Sequence, residues 1–180
     1  MYHSPGGYAI LRPKSLPFIR RWDPGAFVNY YRDLKDFGSF KQANIYIFPI
    51  FMWFKDNSFF EATLTPTWQN INFNFSPLGV AIDQGNHRYT RYLLRYNTDQ
   101  SKKFSLGTRF NFGNFYNGTQ NTLTGSLRYA PLPNISFTAT YEHNNINGLG
   151  LLNEDLEIDL YSANLRLALN PRVQLSSFYQ

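Results

Sequence analysis

Phe104-Ser105-Leu106-Gly107-Thr108-Arg109-Phe110-Asn111-Phe112-Gly113 decides the fold: Phe104, Leu106, Thr108, Phe110 and Phe112 alternate with Ser105, Gly107, Arg109, Asn111 and Gly113. Successive strand residues point to opposite faces, so a period of two separates one greasy face from one polar face. A helix would return its apolar residues at every third and fourth position. The pattern recurs downstream. Leu123, Gly125, Leu127 and Tyr129 oppose Thr122, Thr124, Ser126 and Arg128, and Ile135, Phe137, Ala139 and Tyr141 oppose Ser136, Thr138, Thr140 and Glu142. Tyr161, Ala163, Leu165, Leu167 and Leu169 stand against Ser162, Asn164 and Arg166. Weaker versions run from Phe59 to Phe73, with Glu61, Thr63, Thr65, Thr67 and Gln69 on the polar side, and from Tyr89 to Asn97.

The connections are rich in residues that set turn dihedrals. Lys55-Asp56-Asn57-Ser58, Asp99-Gln100-Ser101-Lys102, Pro131-Leu132-Pro133-Asn134 and Asn170-Pro171-Arg172 read as tight turns. Between them lie longer connections at Ser76 to Asn86, Gly113 to Gly118 and Asn145 to Asp159. Short turns at one end and longer loops at the other are the layout of an outer-membrane barrel. The alternating segments run about ten residues, near the ~9–11 needed to cross a bilayer at a tilt. Starting near Ala26 and ending with Val173 to Gln180, about nine such strands are predicted.

Two stretches depart from the period. Ile45 to Phe54 is almost wholly apolar and contains Pro49, which removes a ladder donor and predicts a bulge or a break in pairing. Residues 1–23 show no alternation, and Pro5, Pro13 and Pro17 predict an irregular or extended segment ahead of the barrel strands of 24–180. Met1 to Gly7 lacks an export signal, and the chain stops in mid-strand at Gln180, so an incomplete barrel that continues in further strands or leans on a partner is expected.

Composition agrees with a two-faced wall. Aromatics make up 18% of the chain, as 17 Phe, 13 Tyr and 3 Trp, yet the mean hydropathy is only −0.40. A barrel wall reaches that combination by setting aromatics outward in girdles and small polar residues inward. Cysteine is absent, which excludes disulfides, thiolate metal sites and thiol nucleophiles. The net charge is +5, but the basic residues are scattered, so no nucleic-acid partner is expected. Nowhere do ~18 apolar residues run consecutively, as a membrane helix would need.

Several short motifs are similar to those of a known family. Trp22-Asp23-Pro24-Gly25, Pro66-Thr67-Trp68, Gly85-Asn86-His87-Arg88-Tyr89-Thr90-Arg91-Tyr92, Thr98-Asp99-Gln100-Ser101 and Gly113-Asn114-Phe115-Tyr116-Asn117-Gly118 carry the resemblance. They resemble the C-terminal barrel region of outer-membrane proteins of unknown function found largely in Bacteroidetes. Those proteins carry an N-terminal β-sandwich like a family-nine carbohydrate-binding module. The resemblance runs from about Trp22 to Gln180 and implies an outer-membrane location, with any glycan recognition residing in a domain this chain lacks.

Candidate chemistry is sparse. Glu154, Asp155, Glu157 and Asp159 form the one acidic cluster, predicted to lie in a long loop; lacking calcium-loop spacing, it reads as a solvated loop ahead of a weak divalent-cation site bridging lipid headgroups. His3, His87 and His143 are far apart and fall in no metal-binding pattern, with His143 on the outward register. No nucleophile elbow or phosphate-cradling glycine loop occurs. Catalytic residues, metal and cofactor are therefore not expected. The informative charges are Arg91, Arg95, Arg109, Arg128 and Arg166, which with Asn111, Asn164 and Glu142 fall opposite the apolar positions and are predicted to face a lumen. There they either brace one another through Glu142 and Asn164 or line a path for anions. Tyr92, Tyr96, Phe104, Tyr129, Tyr141 and Tyr161 are predicted to form outward, interfacial belts near strand ends. The chain thus reads as an all-β, antiparallel, up-and-down fragment of a transmembrane β-barrel with no chemistry of its own. It would serve as anchor or passage for a larger envelope protein, with outer-membrane lipid and other envelope proteins as partners. A glycan-binding or glycan-active envelope protein, or a soluble β-protein, are the competing expectations.

Overall fold

The structure is a computed structural model and describes residues 2–32, 39–170 and 173–180. Twelve strands follow in chain order: β1 (Tyr2–His3), β2 (Gly6–Tyr8), β3 (Ile19–Trp22), β4 (Gly25–Arg32), β5 (Phe40–Phe54), β6 (Phe59–Ile71), β7 (Gly85–Asn97), β8 (Phe104–Phe115), β9 (Gly118–Leu132), β10 (Ile135–Leu149), β11 (Glu154–Asn170) and β12 (Val173–Tyr179). They form one antiparallel 12-stranded sheet in the order β1-β4-β5-β6-β7-β8-β9-β10-β11-β12, with β2 also on β4 and β3 also on β5. From β4 onward each strand pairs with the next, which is the up-and-down meander the alternation predicts. The outermost strands, β1 and β12, do not pair with one another, so the sheet is open.

Register follows from the pleat. Glu61 faces Arg95, Arg95 faces Arg109, Arg109 faces Thr124 and Thr124 faces Glu142 across four successive ladders. A slip of one residue in any of them would turn a whole strand over and put its polar set among the apolar side chains. Leu94, Phe110, Leu123 and His143 form the matching row on the opposite face.

Burial is inverted relative to a water-soluble sheet. On the polar face Glu61 is 1% exposed and Thr63, Thr67, Ser105 and Thr122 are buried, whereas on the apolar face Leu127 is 51% and Phe104 64% exposed. The sheet therefore curls around its polar side.

The bulge predicted at Pro49 is present: the β5–β6 register shifts between Ile47 and Ile50. The Pro49 carbonyl accepts a 2.8 Å hydrogen bond from Trp22 Nε1. The extra residue reverses the side-chain alternation of β5. Ahead of it Asn44 faces Thr67, and beyond it Phe51 faces Glu61 and Trp53 faces Phe59, so aromatics now enter the otherwise polar face. That explains why Ile45 to Phe54 reads as apolar on both sides.

Three expectations need correction. Residues 1–23 are not irregular throughout, because β1 and β2 pair with β4, β3 pairs with β5, and Leu11 bridges Trp22. The prolines keep these pieces short, though Pro5 still offers its carbonyl to the Val28 N–H at 2.8 Å. Next, two of the three long connections are short. Phe115 pairs with Gly118, leaving a turn of Tyr116-Asn117, and β10 and β11 pair from Leu149 and Glu154 onward. Polar residues there prolong the strands past the apolar band. Third, the acidic cluster is not in a loop: Glu154, Asp155, Glu157 and Asp159 are in β11. In the predicted turn at Asn170, Pro171 and Arg172 lie outside the described residues.

The segment between β6 and β7 is long, as predicted, and it folds back on the sheet. Its Val80 and Ile82 join Ile71, Ile146 and Leu149 in a buried apolar cluster, flanked by Phe75, Phe115, Tyr116 and Leu156. The Leu151 N–H donates to Ala81 O at 3.0 Å and pins the segment to the β10–β11 hairpin.

Candidate functional site

The polar face carries every residue that alternation assigned to an interior. Arg91, Arg95, Arg109, Arg128, Arg166, Asn111, Asn164 and Glu142 share one register side across β7 to β11. Four of the five arginines are braced. Arg91 Nη1 donates to Gln120 O at 2.6 Å and Gly113 O at 3.1 Å, and Arg128 Nη1 donates to Gln100 O at 3.0 Å. Arg166 Nη2 donates to Gln174 Oε1 at 3.0 Å.

Arg95 is held hardest. Its Nη2 lies 2.6 Å from Glu61 Oε2, and its guanidinium stands 4.9 Å over the Phe59 ring. Tyr46 donates its hydroxyl to the other Glu61 oxygen. Phe51 packs edge-on against both Phe48 and Phe59, and Trp53 packs tilted against Phe59. A buried carboxylate persists because a cation and a hydroxyl replace its water. Glu61 is a residue that site prediction missed, although its place in the polar register of β6, one hairpin away from Arg95, was readable.

Glu142 does not brace the arginines as expected. Its Oε2 accepts from Thr124 Oγ1 at 3.3 Å and its Oε1 from Asn144 Nδ2 at 2.9 Å, while Thr122 Oγ1 donates to Asn144 Oδ1 at 2.7 Å. Arg109 is left over. Among the described residues no acceptor comes within hydrogen-bonding distance of its guanidinium, and it opens into a cavity of about 280 Å3 lined by Arg95, Asn97, Gly107, Thr124, Ser126 and Thr140.

The opposite face carries the aromatics. Phe104 stacks on Tyr129 at 4.5 Å, Tyr92 on Phe112 at 5.2 Å and Tyr141 on Tyr161 at 4.9 Å. Tyr96 shares this face through its pairing with Phe60 and Thr108. Tyr141 and Tyr161 lie in mid-strand, not near strand ends, because β10 and β11 continue beyond them. They mark the level at which the outward side chains change from apolar to polar.

Just past that level the fold adds His143 to two carboxylates of the acidic cluster, a partner the sequence did not announce. His143 Nδ1 is 2.9 Å from Asp159 Oδ1 and 4.0 Å from Glu157 Oε1, and Tyr141 donates its hydroxyl to Asp159 Oδ1 at 2.7 Å. Among the described residues these three are the group of His and carboxylate side chains spaced to share a cation. Strand pairing in the β10–β11 hairpin, which places His143 opposite Asp159, brings them together. No family model, curated protein or solved structure matches the chain.

Proposed function

We propose that this chain is a membrane-embedded β-wall of an outer-membrane protein, acting as anchor or passage for a larger envelope assembly, with the polar face toward an aqueous interior and the apolar face toward lipid. The inverted burial carries the reading. Leu94, Leu106, Phe110, Leu123, Leu127, Phe137, Leu165 and Leu175 form a continuous exposed apolar band, while Glu61, Thr63, Thr67, Ser105 and Thr122 are buried on the opposite face. Water would penalise a band of that extent, since exposed apolar patches on soluble monomers seldom exceed a few hundred Å2. Hydrocarbon would accept it, and would reject the five arginines at about 2–4 kcal/mol each near the midplane.

Strand length supports the same reading. β8 has 12 residues and β9 and β10 have 15 each, more than the ~9–11 that span a bilayer. The stacked pairs Phe104–Tyr129 and Tyr141–Tyr161 border the apolar band as interfacial belts do. Refolding the chain from urea into lipid vesicles tests the proposal: it should float with the vesicles after an alkaline wash. A chain that stays monomeric in detergent-free buffer and leaves the vesicles bare contradicts it.

A further inference from the structure

Arg95 and Arg109 are direct cross-strand neighbours on the polar face, an arrangement that like charges disfavour unless something neutral or negative separates them. Glu61 neutralises Arg95. Among the described residues no carboxylate pairs with Arg109. The next carboxylate in its row is Glu142, two strands away, and both of its oxygens are already held by Thr124 and Asn144. The Nε of Arg95 is also buried without an acceptor.

The cavity beside the two arginines is bounded toward Glu142 by Thr124, which faces Glu142 across the β9–β10 ladder, and by Thr140. Its far wall is the row Asn97, Gly107, Ser126 and Thr140. A Cβ at Gly107 would come within 2.6 Å of Ser126 Oγ and 2.8 Å of Asn97 Oδ1, so these two side chains close over that position because it is glycine. Two guanidinium groups, the Thr140 hydroxyl and the amide of Asn97 supply donors from several directions, while the hydroxyls of Thr124 and Ser126 are donated to Glu142 Oε2 and Gly107 O. That set matches a compact anion with more than two oxygens better than a flat carboxylate, which one guanidinium already satisfies bidentately.

We propose that Arg95 and Arg109, with Asn97 and Thr140, form a binding subsite for a phosphate-class oxyanion on the interior wall. The inference deepens the reading of this face as the wet side and rests on it. A site of this kind selects solutes that enter the interior, and in a pore it sets a preference for anions.

The test is a titration of inorganic phosphate against chloride at constant ionic strength, with the full chain refolded in detergent micelles and the arginine side-chain Nε–H signals followed by NMR. The Arg109 and Arg95 signals should shift along a saturable curve with millimolar midpoint, while Arg166 moves little. Arg109→Gln should abolish saturation and Arg109→Lys should restore a weaker curve, with the backbone spectrum of β7 to β9 unchanged in both. Arg109 signals that follow Arg166, or that respond to Glu142→Gln and not to phosphate, overturn the subsite. Vesicle insertion is read separately, so a chain that inserts without binding phosphate loses this inference alone, and one that binds phosphate without inserting loses the membrane reading.

Discussion

Glu61 and Arg95 face each other across the β6–β7 ladder with Oε2 and Nη2 2.6 Å apart, and the Glu61 side chain is only 2% exposed against 30% for Arg95. The pair fastens the aromatic end of the interior to the polar wall. Replacing Glu61 with Gln strips Arg95 of its counter-charge inside a ring of aromatics. The expected loss is about 2–3 kcal/mol in urea unfolding from micelles, below the ~3–5 of a fully buried pair because Arg95 is partly open. The double variant Glu61→Gln with Arg95→Gln should recover part of that loss. A single variant as stable as the parent would show that the pair is a passive neighbour.

Asp56-Asn57-Ser58 and Asp99-Gln100-Ser101 form matching turns. Each Asp Oδ1 accepts from both the backbone N–H and the hydroxyl of the serine two residues on, at 2.9 and 2.6 Å for Ser58 and at 2.9 and 2.7 Å for Ser101. The serine hydroxyls, followed by the serine N–H groups, hold both carboxyls below the ordinary value of 3.8. A lowered folded value stabilises the turns above the unfolded value and loses that contribution as pH falls from 3.8 through the folded values. Carboxyl-carbon NMR should place both midpoints below 3.8, and Ser101→Ala should bring the Asp99 midpoint back up. Midpoints at or above the ordinary value contradict the turn geometry.

Gly150 sits at φ +74, and a Cβ there would collide with Val80 Cγ1 and the Ala81 carbonyl oxygen. The segment between β6 and β7 can lie against the β10–β11 hairpin only because this position has no side chain. Gly150→Ala should loosen it at a cost of about 1–3 kcal/mol and make it at least tenfold more open to cleavage. Chymotrypsin attack at Phe73, Phe75 or Leu78, followed by mass spectrometry, reads that change, and an unchanged rate would show that the segment is held elsewhere.

The two faces should respond oppositely to the same charge. Leu127→Arg on the apolar face should cost about 2–4 kcal/mol of stability in vesicles, whereas Asn164→Arg on the polar face should cost little. Equal losses at the two positions would contradict the assignment of faces.

Much of this fold was legible because alternation is a direct image of the pleat. Phe104 to Gly113 placed Arg109 on the polar side, and turn residues located the hairpins at Asp56 and Asp99. What escaped depended on pairing. Polar outward residues such as Asn145, Glu157 and Asp159 resemble loop sequence, yet they prolong β10 and β11. Residues 2–11 have little alternation because an edge takes its register from the neighbouring β4 and from Trp22, not from burial. The Glu61–Arg95 pair needed the β6–β7 register, and the His143, Glu157 and Asp159 cluster needed that of β10 and β11.

The central claim is that the apolar face meets lipid while the polar face meets water. Native cysteine is absent, so single cysteines can be placed one at a time along β9, from Thr122 to Tyr129, and spin-labelled without background. Collision rates with oxygen and with a water-soluble nickel chelate, in vesicles, should alternate with a period of two: oxygen dominant at Leu123, Gly125, Leu127 and Tyr129, nickel dominant at Thr122, Thr124, Ser126 and Arg128. Nickel access that is uniform along the strand, or highest at the leucines, would contradict the account.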